Sequence, residues 1–320
     1  MTKEFIFETD KYYNACHAST LLKMPDGNLL AAWFAGTQEG DDDIRIWYAV
    51  NSDGKWSEPV CLETDCSLPH WNPVLFLKND GTVRLFFKTG KRISHWITQV
   101  CDSHDNGKTW TKAKILVDGD FSGGRGPVKN KCMRASDGRI LAPASSEIRG
   151  WRCFIDISSD DGDTWTRAPY IVRPKKTPVG IVKMIQPTLW EDENGVFHAL
   201  MRSDNGFVYK SESSDGIKWT KAEKTDLLNN NSGLDCVKAQ DGNIYLVCNP
   251  VGENWGERSP LVLMKSTDNG KTFSVIKTLE EREGGEFSYP AIIADKNILH
   301  ISYTFDRKNI VYCNFNIDSI

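Results

Sequence analysis

The strongest constraint on the fold is a recurrence. Residues 103–110, Ser-His-Asp-Asn-Gly-Lys-Thr-Trp, return at 158–165 with Ser, Asp, Gly, Thr and Trp kept, and at 266–273 with Phe for Trp. Shortened copies stand at 52–56 and 213–219. The shared aspartates, Asp53, Asp105, Asp160, Asp215 and Asp268, are 52, 55, 55 and 53 residues apart. A fixed period near fifty predicts a repeat architecture with one supersecondary unit per period. The box itself has turn chemistry: Ser and Asp side chains bond nearby backbone N–H groups, Gly takes a positive φ, and Trp anchors the loop on apolar neighbours. It is read as structural. No copy carries the closing Glu of an EF-hand, which argues against calcium.

Ahead of each box lies a second regular signal, a tight turn at Asp26-Gly27, Asp80-Gly81, Asp137-Gly138, Asn194-Gly195 and Asp241-Gly242. Such dipeptides between apolar runs predict hairpins. The flanking runs at 29–34, 83–87, 196–201 and 244–248 are short and rich in β-branched or aromatic residues, and no segment carries a long helical period. The chain is therefore expected to be all-β: one domain over 1–320, a six-bladed β-propeller of four-stranded antiparallel blades. Blades are expected to start near His17, His70, Gly126, Ile181, Gly233 and Tyr289. The sixth shows only three strands, so the apolar Phe5-Ile6-Phe7 is expected to supply the fourth and close the ring, removing open sheet edges.

In such blades the Asp-Gly and boxed turns share one face of the disc, and the variable loops share the other. Function is expected on the variable face. A net charge of −4 without a basic cluster argues against nucleic acid and anionic membranes as partners. The N-terminus lacks the features of a signal peptide and no run is long enough to span a bilayer, so a cytoplasmic protein is expected. Nine cysteines without a CxxC pair or His/Cys metal spacing predict reduced thiols, with no metal site and no cofactor.

On the variable face the sequence places His17, Glu39, Asp41, Asp42 and Asp43 from blade one, and His70, Trp71, Asn72 and Trp96 from blade two. Blade three adds Arg125, Lys129, Asn130, Lys131 and Glu147, and blade four Gln186 and Arg202. Asn231, Asp235, Trp255 and Arg258 follow from blade five, and Glu286, Tyr289 and Arg307 from blade six. Arginine forks for a carboxylate, amides for hydroxyls and indoles for an apolar sugar face suit an anionic sugar. Arg125, Lys129 and Lys131 fit substrate contact or an internal charge network equally well. Of the tryptophans, Trp71, Trp96, Trp151 and Trp255 are not box anchors and are free to face a ligand.

Repeated Ser-x-Asp-x-Gly-x-Thr-Trp boxes on six blades resemble the Asp-box (BNR repeat) sialidase, or neuraminidase, superfamily over essentially the whole chain. The resemblance implies three arginines on a substrate carboxylate, a tyrosine nucleophile assisted by a glutamate, and an aspartate acid/base. Arg202, in Leu200-Met201-Arg202-Ser203, and Arg258, before Ser259-Pro260-Leu261, match the second and third arginines. Tyr289 in Glu286-Phe287-Ser288-Tyr289-Pro290 matches the nucleophile, although the family's Tyr-Ser pair aligns with Phe287, two residues away and on the same side of a regular strand. Glu39, Asp41 and Asp42 share the short first loop where the acid is expected, and Asp41 or Asp42 is taken for that role. Three positions depart: His17 stands in place of the first arginine, Gln186, sixteen residues before Arg202, in place of the assisting glutamate, and the acid/base aspartate has no unique match in the first loop. A neutral amide cannot accept the tyrosyl proton.

Three functions follow. The first is a glycoside hydrolase acting on a carboxylated sugar, with an acidic oligosaccharide or glycoconjugate as partner and Arg202 and Arg258 holding the anion. The second is a uronate lyase using His17 or Tyr289 on the α-proton. The third is a non-catalytic glycan-binding propeller.

Overall fold

The computed structural model describes residues 2–176 and 180–320. Six antiparallel sheets form six blades in the order the repeats predict. Their innermost strands are Ala15–Lys23, His70–Leu77, Met133–Arg134, Met184–Glu191, Asp235–Lys238 and Phe287–Asp295. Thr2–Phe5 pairs with Asn309–Asn316 as the outermost strand of blade six, so the ring closes as expected, by a strand slightly earlier than Phe5-Ile6-Phe7. Ile6 and Phe7 are buried instead in the core of blade one, where the Phe7 ring stacks on Trp33 at 5.1 Å. Among the described residues the only helical pieces are two short 3-10 turns, Ile93–His95 and Ile317–Ser319, and no helix is long and apolar enough to cross a membrane.

The boxes fold as their chemistry predicts. In the second, Ser103 Oγ accepts from Gly107 N at 2.8 Å and donates to Asp105, whose carboxylate accepts from Thr109 N and Oγ1 at 2.8 and 2.6 Å. The copies at Asp160 and Asp268 repeat this set. Asp161 of one box accepts from Asn79 N, beside the Asp-Gly turn of the preceding blade, at 2.7 Å. Boxed and Asp-Gly turns therefore do share one face.

The channel-lining strands break the regular pleat. Register shifts fall between His17 and Thr20, Trp71 and Val74, Ile185 and Thr188, and Ser288 and Ala291. At each, one residue takes a positive φ: Ala18, Asn72, Gln186 and Tyr289, at 57°, 40°, 54° and 52°. Three of the four precede proline (Pro73, Pro187, Pro290). Proline disfavours the right-handed helical region for the residue before it and removes an N–H that a bulge cannot pair. A bulge then re-aims the side chain.

Blade three differs from the expected start at Gly126. Its inner strand is only two residues long, and the run before it lies across the channel. Asn72 Nδ2 donates to Val128 O at 3.0 Å, Asn130 Nδ2 to the Gln186 and Pro187 carbonyls at 3.1 and 2.9 Å, and Lys129 Nζ to Leu234 O and Pro290 O. Residues 128–130 thus join blades two, four, five and six.

Candidate active site

The bulges bring Asn72, Gln186 and Tyr289 to one cavity of about 240 Å³ on the variable face, lined also by Glu39, Trp96, Glu147, Trp151, Arg202, Trp255, Arg258 and Arg307. Tyr289 lines it among charged and polar neighbours. The phenol oxygen accepts from Arg202 Nη1 at 2.7 Å and from Gln186 Nε2 at 3.3 Å. The amide orientation follows from chemistry, because Arg202 Nη1 also donates to the other end of Gln186, Oε1, at 3.1 Å, and a guanidinium only donates. Gln186 is therefore a donor to Tyr289. Burial opposes ionisation of the phenol, but the Arg202 and Arg258 guanidinium groups and the amide outweigh it and hold Tyr289 below the usual tyrosine range.

Phe287 is not an alternative to Tyr289. The register shift breaks the alternation between them, and Phe287 lies in the apolar core of blades five and six, 5.0 Å from the Phe305 ring.

Arg202 is 3% exposed. Asn231 Oδ1 accepts its Nε at 2.8 Å, and its Cζ lies 5.5 and 5.6 Å from the Trp151 and Trp255 rings. Among the described residues it pairs with no carboxylate. The other two arginines of the mouth do: Arg258 Nη1 reaches Glu286 at 2.7 Å, and Arg307 bridges Glu286 and Glu39. Glu286 is therefore occupied by two cations.

His17 stands beside Tyr289, ring centroids 4.0 Å apart, with Nδ1 at 2.9 Å from Thr304 Oγ1. Burial, with the nearby Arg307 and Arg258, drives its pKa far below the ordinary value, so the imidazole is neutral. It does not supply the charge of a first arginine. Arg307, from the last blade, brings a third guanidinium to the mouth instead.

Other expected contacts lie elsewhere. Asp41 and Asp42 are exposed and do not line the cavity, and Asp42 pairs with Lys91 at 2.6 Å. Glu39 is the first-loop carboxylate that reaches the mouth. Arg125 forms a two-pronged pair with the fully buried Asp156 at 2.8 and 2.9 Å. Lys131 is held by Asp235 at 2.9 Å, and Asp235 also accepts from Thr188 Oγ1 and Ile292 N. His70 is buried against Phe87, with Nε2 3.3 Å from Thr64 Oγ1. Lys129 lies under the Tyr289 ring at 5.9 Å, and burial pulls its pKa down to about 7 although Asp235 acts in the opposite sense. These basic residues build the channel rather than open into the mouth. Asn231 acts through Arg202, and Trp255, 62% exposed, forms the rim with Trp151.

A wider cleft of about 470 Å³ opens where the inner strands of blades three to five end. Its cations are already bound, Lys131 to Asp235, Lys238 to Glu193 and Arg134 to Asp161. Convergent polar groups, not volume, single out the Tyr289 mouth. Among the described residues no group of three or more His, Cys, Asp or Glu is placed to hold a metal ion.

A family model described as the BNR repeat-like domain matches residues 27–301. No curated protein matches the chain. Among solved structures, the chain is similar to a protein of unknown function from Dyadobacter fermentans, at 18% identity and a TM-score of 0.76 over 98% of this chain and 97% of that one. The Hadza microbial sialidase Hz136 superposes at a TM-score of 0.83 with 17% identity, covering 100% of this chain and 69% of that one. The intramolecular trans-sialidase from Ruminococcus gnavus, solved with oseltamivir carboxylate, gives 0.71 and 14% over 98% and 97%. At such identities the structural likenesses speak for the fold. With the family match spanning most of the sequence, the chain belongs to the BNR repeat-like domain family, within the Asp-box sialidase-like superfamily.

Proposed function

We propose that this protein is an exo-acting glycoside hydrolase for a carboxylated sugar, with Tyr289 as the attacking group. The observation that carries the reading is Arg202: a buried guanidinium with no carboxylate partner among the described residues, framed by two indoles and bonded to the tyrosine oxygen. A buried guanidinium that no carboxylate of the protein engages keeps donors free for a ligand carboxylate, whose binding places the sugar over Tyr289. Arg258 completes the receptor. The cavity, below the roughly 300 Å³ at which ordinary ligand pockets begin, suits one sugar unit at the end of a glycan. Tyrosine oxygen held by N–H donors favours the tyrosinate, which attacks the anomeric carbon without first surrendering a proton to a neighbouring base.

A screen of aryl glycosides of acidic and neutral sugars tests this. Release from an acidic glycoside is expected, abolished by Tyr289→Phe and reduced about 100-fold or more by Arg202→Met, the scale of losing a buried charge-assisted contact. Equal turnover of neutral sugars, or sugar binding with no turnover to lose in Tyr289→Phe, sinks the proposal.

One observation favours a second reading. A tyrosinate with no carboxylate beside it is also a base, suited to taking the α-proton of a uronate whose carboxylate Arg202 neutralises. A product with a new ultraviolet-absorbing double bond, in place of water addition, identifies that lyase.

A further inference from the structure

Cleaving a glycoside requires a proton for the leaving oxygen, and the mouth offers few groups to hold one. Two carboxylates line the cavity, Glu39 and Glu147. Glu39 is already engaged, ion-paired with Arg307. Glu147 has no cation within 4.0 Å among the described residues. Its Oε2 accepts from a neutral donor, Trp151 Nε1, at 2.9 Å, and that indole is one of the two that frame Arg202.

We propose that Glu147, on the variable loop of blade three, is the general acid of this site, in place of a carboxylate from the first loop. The assignment rests on the hydrolase reading above. The cycle balances on these residues. The Tyr289 oxygen bonds to the anomeric carbon as the glycosidic C–O bond breaks, and the Glu147 proton moves to the departing oxygen, leaving an alcohol and a Glu147 carboxylate. That carboxylate then takes a proton from water as the water oxygen attacks the anomeric carbon and the Tyr289 oxygen leaves. Burial supports the role: it raises the Glu147 carboxyl above the ordinary range, although the Trp151 hydrogen bond and Arg202 pull it back. The indole holds one oxygen still and leaves the other to carry the proton.

The experiment compares 4-nitrophenyl with methyl glycosides of neuraminic acid and of glucuronic acid, in wild-type protein and in Glu147→Gln. The variant is isosteric and keeps an oxygen for Trp151. A nitrophenolate leaves without help, whereas methanol does not. Expected is a loss of about 100-fold or more in kcat/KM, which reads the bond-breaking step alone, on the methyl glycosides, against less than about 10-fold on the nitrophenyl ones, and disappearance of the alkaline limb of the pH profile of kcat/KM. Equal loss on both, or no loss, overturns the assignment while Tyr289→Phe still tests the hydrolase. A split shown by Glu39→Gln and not by Glu147→Gln moves the acid to the first loop and overturns it too. Wild-type protein inert on all four glycosides overturns both readings.

Discussion

Gln186→Glu restores the residue that the superfamily pattern pairs with its tyrosine, yet it is expected to impair this site at neutral pH. In the wild type Gln186 Nε2 donates to the Tyr289 oxygen at 3.3 Å. Glutamate removes that donor and sets a negative charge beside the developing tyrosinate. At an effective dielectric constant of 20, two charges 3.3 Å apart repel by about 5 kcal/mol. Arg202, which bonds the same side chain at 3.1 Å, screens part of it, leaving about 2 kcal/mol. That corresponds to roughly 30-fold less tyrosinate at a fixed pH. The sign is definite: the wild-type site holds the phenol below its usual range, and the substitution pushes it up. Steady-state kcat/KM against pH reads the effect, with ¹³C NMR of the tyrosine ring carbon as an independent titration. Expected is a loss of about 30-fold near neutrality that recovers as pH rises. A variant as active as wild type at neutral pH, or more active, refutes the view that Tyr289 works as an anion stabilised by donors.

Two further outcomes concern stability. Asp156→Asn breaks a fully buried two-pronged pair with Arg125 and a 2.7 Å bond from Gly126 N, and is expected to cost about 3–5 kcal/mol, lowering the midpoint of thermal unfolding by roughly 10 °C without a selective effect on acidic sugars. An unchanged midpoint contradicts the buried pair. The box carboxyls Asp105, Asp160 and Asp268 are each lowered to about 2 by their threonine and serine hydrogen bonds, from an ordinary value of 3.8. Because the folded values lie below the unfolded ones, their contribution is full above that range and is lost as pH falls towards 2. Denaturant titrations from pH 5 to pH 2 should show stability falling steeply, and less steeply in Asp160→Asn. Parallel slopes count against the box as a pH-linked element.

The blade count and both faces of the disc were legible because they rest on local chemistry repeated at a fixed spacing. A Ser-Asp-Gly-Thr box satisfies its own turn within seven residues, so its sequence suffices. The three residues before proline at 72, 186 and 289 were also a legible signal, at matching places in alternate blades, yet the regular pleat set Phe287 and Tyr289 as equivalents. Only the bulge separates them. Arg125 and Lys131 illustrate what was not legible. The carboxylates that hydrogen-bond them are 31 and 104 positions away, and the nearer Asp120 only approaches Arg125 at 4.0 Å, so the local sequence does not tell an internal pair from a substrate contact. Asp41 and Asp42 stand beside Glu39 in one polar loop, and the choice among the three depends on the reach of Arg307 from the far end of the chain. Glu147 was visible on the variable face, but only its neutral neighbour distinguishes it from the carboxylates already paired.

Repeat proteins usually gain stability by adding neighbours, and each unit answers only to the two beside it. The run at 128–130 removes that independence. Through one carbonyl, one amide and one ammonium it binds the axis-facing strands of four other blades. A blade cannot be inserted into or deleted from such a ring without pulling these donors from their acceptors. The disc is thus committed to its number of sectors by a hub rather than by its rim. The bulge that aims Tyr289 is fastened to that hub, so the mouth takes shape only when the whole circle has closed.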